Sequence, residues 1–161
     1  MEHRSKPQRI YVDTSVVGGC FDDEFRGYSV ALFDEARSGQ ILLVVSDTTL
    51  AEISLAPARV RNLLAGLPQA CIEYFPQCEL SEALAGAYID QAVVPARMLA
   101  DAQHIAVATV ARVDVLVSWN FKHIVNLDRI HAFNAVNLRA GYPLLEIRSP
   151  REVLGHGNED F

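Results

Sequence analysis

The chain has 161 residues, 50% of them hydrophobic, with a mean hydropathy of +0.13, so one domain with a core burying roughly 70% of the unfolded surface is expected. No apolar stretch reaches the ~18 uninterrupted residues of a membrane span, and the polar start Met1-Glu2-His3-Arg4-Ser5-Lys6-Pro7-Gln8-Arg9 lacks the apolar core of a signal peptide, so a soluble cytoplasmic protein is expected. The net charge of −6 argues against a large nucleic-acid-binding surface, but leaves room for an acidic site offset by a metal, for a locally basic groove, or for a basic partner.

Apolar runs at 9–13, 41–46, 71–75, 114–118 and 144–148 read as strands. Their β-branched and aliphatic content without strict alternation predicts cover on both faces, as in a parallel α/β sheet. Helices fall between them. Ser29 to Ser38 places Val30, Phe33 and Ala36 on one face, with Gly39 as the natural stop. Ser46 and Asp47 offer N-caps for a helix through Glu52, which Pro57 interrupts. Ser81-Glu82 opens a helix to about Val93. The helix from about Ala100 to Arg112 is nearly apolar all round and therefore buried. A last helix spans Leu127 to Ala140, with Gly141 and Pro143 beyond it. The order β-α-β-α-α-β-α-α-β-α-β, without repeat or linker, makes one domain over 1–161 with flexible ends at 1–8 and 155–161. Cys20, Cys71 and Cys78 form no CxxC pair and suit a reducing compartment. Cys20, near Asp13, is either a packing residue or a reactive thiol, although no basic neighbour flanks it to stabilise a thiolate.

Four polar residues stand where strands end or helices begin: Asp13, Glu52, Asp101 and Asn120. In an open parallel sheet these places share one edge, where ligands bind. Three carboxylates converging there would repel one another unless a cation held them, which points to an oxygen-ligand Mg²⁺ or Mn²⁺ site. Each has a plainer alternative. For Asp13 it is a helix N-cap, for Glu52 a solvated side chain, and for Asp101 a first-turn acid complementing the helix dipole; the site reading is favoured for Asp13 and, in its company, for Glu52. His104, one turn beyond Asp101, is either a metal ligand or a hydrogen-bonded core residue. Trp119 and Phe121 either stack a base or pack in the core. Thr14 and Ser15 can orient a phosphate or a metal-bound water. Arg97 and Lys122 can line a substrate groove, or lie exposed.

On these residues the chain resembles the PIN-domain family, and within it the VapC-like toxins of toxin–antitoxin pairs. The resemblance covers about residues 9 to 148. It rests on Ile10-Tyr11-Val12-Asp13-Thr14-Ser15, Ser46-Asp47-Thr48-Thr49-Leu50-Ala51-Glu52-Ile53, Ala100-Asp101-Ala102-Gln103-His104-Ile105-Ala106-Val107-Ala108 and Val117-Ser118-Trp119-Asn120-Phe121-Lys122-His123. It implies a three-layer α/β/α fold with a central, mainly parallel sheet, and a Mg²⁺- or Mn²⁺-dependent endoribonuclease. Asp13, Glu52 and Asp101 would be its acidic triad and metal ligands. Asn120 stands where the family often has a fourth acid, which puts a second metal in doubt. The resemblance further implies an RNA substrate, 5′-phosphate products, a homodimer and an antitoxin protein that blocks the acidic groove. A rival from another class is a PIN-fold RNA- or protein-binding module whose site has decayed at Asn120. A haloacid-dehalogenase-type site fits poorly, because position 15 is Ser where a second Asp is needed; the acid spacing also fails to match a receiver domain.

Overall fold

The computed structural model describes residues 6–155. Five strands form one all-parallel sheet: β1 (Gln8–Val12), β2 (Ile41–Ser46), β3 (Ile72–Phe75), β4 (Val115–Val117) and β5 (Ile147–Arg148), in the order β3-β2-β1-β4-β5. Tyr11 lies opposite Val44 on one side and Leu116 on the other. The central strands are apolar on both faces because helices cover both. On one face α5 (Glu79–Asp90), α6 (Leu99–Val110) and α7 (Leu127–Arg139) close a core that includes Tyr88, Ile105, Ala106 and Phe133. On the other, α1 (Thr14–Gly19), α2 (Arg26–Arg37), α4 (Ala58–Ala65) and α8 (Pro150–Gly155) contribute Val16, Val17, Leu32, Phe33, Val60 and Val153. The remaining helix, α3 (Asp47–Ser54), follows β2 directly. Ser46 is its N-cap, and the Ser46 backbone N–H donates to Thr49 Oγ1 at 3.3 Å.

Several boundaries differ from the sequence expectation, each for a local reason. Gln8 belongs to β1, opposite Ile41, rather than to a flexible lead. The expected fifth strand at 144–148 shrinks to Ile147–Arg148, because the Asn134 side chain takes both backbone groups of Leu145, at 2.8 and 3.1 Å. The α5 helix begins before Ser81, which occupies its third position and accepts from the Cys78 N–H at 2.9 Å. Two short helices were not anticipated. Asp13 caps α1, and Ser149 exchanges hydrogen bonds with Glu152 to open α8. Of the ends expected to be flexible, 1–8 and 155–161, residues 1–5 and 156–161 lie outside the described residues, and Gly155 closes α8. No helix among the described residues is long and apolar enough to cross a membrane.

Candidate active site

The sheet order reverses beside β1: β2 lies to one side and β4 to the other. That switch opens a crevice at the C-terminal strand ends. Asp13 sits there, 5% exposed. Its Oδ1 accepts from Ser15 Oγ at 2.6 Å and from the Val16 N–H at 3.3 Å, and its Oδ2 accepts from Ser118 Oγ at 2.6 Å. Asp13 is therefore a helix cap and a strand-end carboxylate at once. Burial pushes its carboxyl above the ordinary range, against the opposing pull of His104 and the three donors. Asp101, in the first turn of α6, is also pushed up by burial, with Asp13 and Glu52 adding repulsion. The three acids thus lie near one another, Asp13 after β1, Glu52 on α3 and Asp101 on α6.

Glu52 and His104 form one unit. The Glu52 Oε1 is 2.5 Å from His104 Nε2, and this hydrogen bond holds the Glu52 carboxyl below its ordinary range despite partial burial. The other ring nitrogen, Nδ1, lies 2.6 Å from the Tyr11 hydroxyl. With both nitrogens engaged and only 2% exposure, His104 is a hydrogen-bonded core residue whose ring has no free nitrogen for a metal.

Asn120 lies on the same edge, but its side chain closes a turn: Oδ1 accepts from the His123 N–H at 3.0 Å. Its own backbone N–H donates to Ser118 Oγ at 2.9 Å. Ser15 is equally committed, accepting from the Trp119 N–H at 2.9 Å while donating to Asp13. Thr14 differs. Its Oγ1 is buried beside Glu52, whose anion it favours, yet makes no well-formed hydrogen bond among the described residues. His123 Nδ1 is the other such orphan. Arg97 and Lys122 are both exposed. A groove of about 400 Å³ adjoins the crevice, lined by Ser15, Gly18, Gly19, Asp22, Phe25, Trp119 and Asn120. Trp119 is a core residue, stacked on Phe25 with ring centroids 4.2 Å apart, and donating from Nε1 to Ser29 Oγ at 2.9 Å. Phe121 exposes 49% of its surface. Burial pushes the Cys20 thiol up to about 11, which makes it a packing residue rather than a nucleophile.

The donor set suits a hard dication. Asp13, buried, and Asp101, part-buried, supply carboxylate oxygens of the kind such an ion takes, and Thr14 Oγ1, beside Glu52, is a buried polar atom without a hydrogen-bond partner among the described residues. Among the described residues, however, no three His, Cys, Asp or Glu side chains are drawn together tightly enough to enclose an ion as they stand. The third acid, Glu52, is tied to His104. Ser118, Tyr11, Ser46 and Thr49 were missed as parts of this centre. The available signal was a polar side chain inside or ending an apolar strand, which must find a partner when buried.

No family model matches the chain, and no curated relative matches its sequence. Solved structures do. The chain is similar to VapBC2 of Rickettsia felis bound to a promoter DNA fragment, with a TM-score of 0.54 and 14% identity, covering 88% of this chain and 98% of that one. It is also similar to FitAcB of Neisseria gonorrhoeae, with a TM-score of 0.52 and 17% identity, covering 88% of this chain and 97% of that one. At such identities the likeness is one of fold, and the fold is PIN-like: three α/β/α layers around a central parallel sheet.

Proposed function

We propose that the protein is a metal-dependent endoribonuclease, the toxin of a toxin–antitoxin pair. The observation that carries this reading is geometric: Asp13 is a buried carboxylate at the C-terminal end of β1, at the β1/β4 switch of a PIN-like sheet, with Glu52 on α3 and Asp101 in the first turn of α6 close by. Asp13 and Asp101 would hold Mg²⁺ or Mn²⁺, which supplies a water of lowered pKa and offsets charge on the phosphoryl oxygens. Glu52, half exposed and ionised, orients a water for in-line attack on the phosphodiester, or adds to the metal's shell. Thr14 is better placed than Ser15 to hold the scissile phosphate, because the Ser15 hydroxyl is already used twice. Arg97 and Lys122, both exposed, are free to meet the RNA backbone. Asn120 acts here as a turn cap and leaves the centre one acid short, so a single metal is the simpler stoichiometry. The partner implied is an antitoxin protein, in line with the fold shared with VapBC2 and FitAcB, and the family resemblance implies a homodimer as the active form.

The test is cleavage of a mixed RNA pool with Mn²⁺, with Mg²⁺ and with EDTA, beside Asp13→Asn and Asp101→Asn. Metal-dependent cutting that both substitutions abolish is the expected result. No cutting by folded, partner-free protein would favour the binding module instead. Cutting that survives both substitutions would mean a contaminant or another site.

A further inference from the structure

A chain of hydrogen bonds runs through the core and ends on Glu52. Ser46 Oγ is 2.7 Å from the Tyr11 hydroxyl, that hydroxyl is 2.6 Å from His104 Nδ1, and His104 Nε2 is 2.5 Å from Glu52 Oε1. Ser46 and Tyr11 are fully buried and His104 is 2% exposed, whereas the Glu52 side chain keeps 41% exposure. The path therefore starts inside the sheet and emerges at the active-site edge. It joins β1, α6 and the contiguous β2–α3 segment, three parts of the chain brought together by the tertiary fold.

Its direction follows from the chemistry. The Glu52 carboxylate can only accept, so Nε2 carries the proton and donates to it, and in the neutral ring Nδ1 then accepts from the Tyr11 hydroxyl. Packing alone would be met by Phe at position 11 and Leu at position 104, with no buried polar atom to satisfy. Instead the protein commits a complete network to one oxygen of one side chain. The other Glu52 oxygen accepts no well-formed hydrogen bond among the described residues, although Thr14 Oγ1 lies beside the carboxylate.

We infer that Tyr11 and His104 are positioning residues that hold one oxygen of Glu52 in place, so that the other faces the attacking water and Glu52 serves the water rather than the metal. Asp13 and Asp101 remain as the ion's carboxylates. This assignment rests on the nuclease reading above and decides between the two roles left open there for Glu52.

The experiment compares wild type with His104→Leu, His104→Gln and Tyr11→Phe. It measures kcat and KM on a short fluorogenic RNA, Mn²⁺ affinity of the RNA-free protein by electron paramagnetic resonance, and melting temperature. His104→Leu should lower kcat by roughly 10²-fold, the scale of a misplaced reacting group, with KM and Mn²⁺ affinity unchanged. His104→Gln should recover most of that loss, since its amide N–H can still reach Glu52, and Tyr11→Phe should fall between them. In ¹⁵N-histidine-labelled, metal-free protein His104 should show the Nε2–H tautomer; an Nδ1–H ring would overturn the assignment. So would equal losses in the Leu and Gln variants that track melting, or a loss of Mn²⁺ affinity in His104→Leu. Wild-type cutting that is indifferent to His104 overturns this role alone. A wild type that cuts no RNA overturns the nuclease reading and this role with it.

Discussion

Asp13 shows what a buried strand-end carboxylate costs in stability. Its carboxylate is buried and its pKa is raised from 3.8 chiefly by burial. Below 3.8 folded and unfolded chains are both protonated; above it the unfolded chain ionises first, so stability falls until pH passes the raised folded value. Each pH unit of that displacement is worth about 1.4 kcal/mol. In chelator, Asp13→Asn should therefore melt above wild type near neutral pH, with the gap closing as the pH falls toward 3.8. Circular-dichroism melts across pH check this, and a wild type that melts higher at neutral pH would refute it. Gly19 makes a separate case. A Cβ there would sit 2.5 Å from Ser29 Oγ and 2.7 Å from Trp119 Nε1. Gly19→Ala should cost about 1–3 kcal/mol through overpacking, read as a lower urea midpoint, and should loosen Trp119, whose backbone N–H anchors Ser15. The position of Asp13 was legible in the sequence because it ends an apolar run. Its partner Ser118 was not, since the two are 105 residues apart.

Among the elements, α6 carries the most. Its residues Ala102 and His104 to Thr109 are all buried, which its all-round apolar sequence announced. Ile105→Ala removes a fully buried side chain on the sheet-facing core and should cost about 2–5 kcal/mol. Equilibrium urea unfolding measures it, and a cost under about 1 kcal/mol would mean that the cavity collapses. The elements the sequence obscured are short ones. The α1 helix, Thr-Ser-Val-Val-Gly-Gly, has poor intrinsic propensity and exists because Asp13 caps it and Val16 and Val17 are buried. The α8 helix did have a signal, Ser149-Pro150-Arg151-Glu152, a capping box with Pro at the first helical position. The fifth strand stops short because Asn134, on α7, competes for the backbone of Leu145.

For the whole molecule, the proposed metal site, at the sheet edge where Asp13 is buried, would make metal binding and folding linked events. Saturating Mn²⁺ should raise the melting temperature of wild type, by about 2.7 kcal/mol of stability at 100 times the dissociation constant, or roughly 2–4 °C per kcal/mol for a chain of this size. Differential scanning fluorimetry should show that shift disappear in Asp101→Asn, and an equal shift in both proteins would place the ion elsewhere. The sequence by itself determined the α/β class, the five strand positions and the candidate acids, because periodicity, caps and strand ends are set by neighbours a few residues apart. Only the tertiary structure decided what each polar group does: that Ser118 holds Asp13, that Asn120 caps a turn, that His104 joins Tyr11 to Glu52. A parallel sheet places strand ends from distant parts of the chain side by side, and no local pattern records which buried donor will meet which acceptor there.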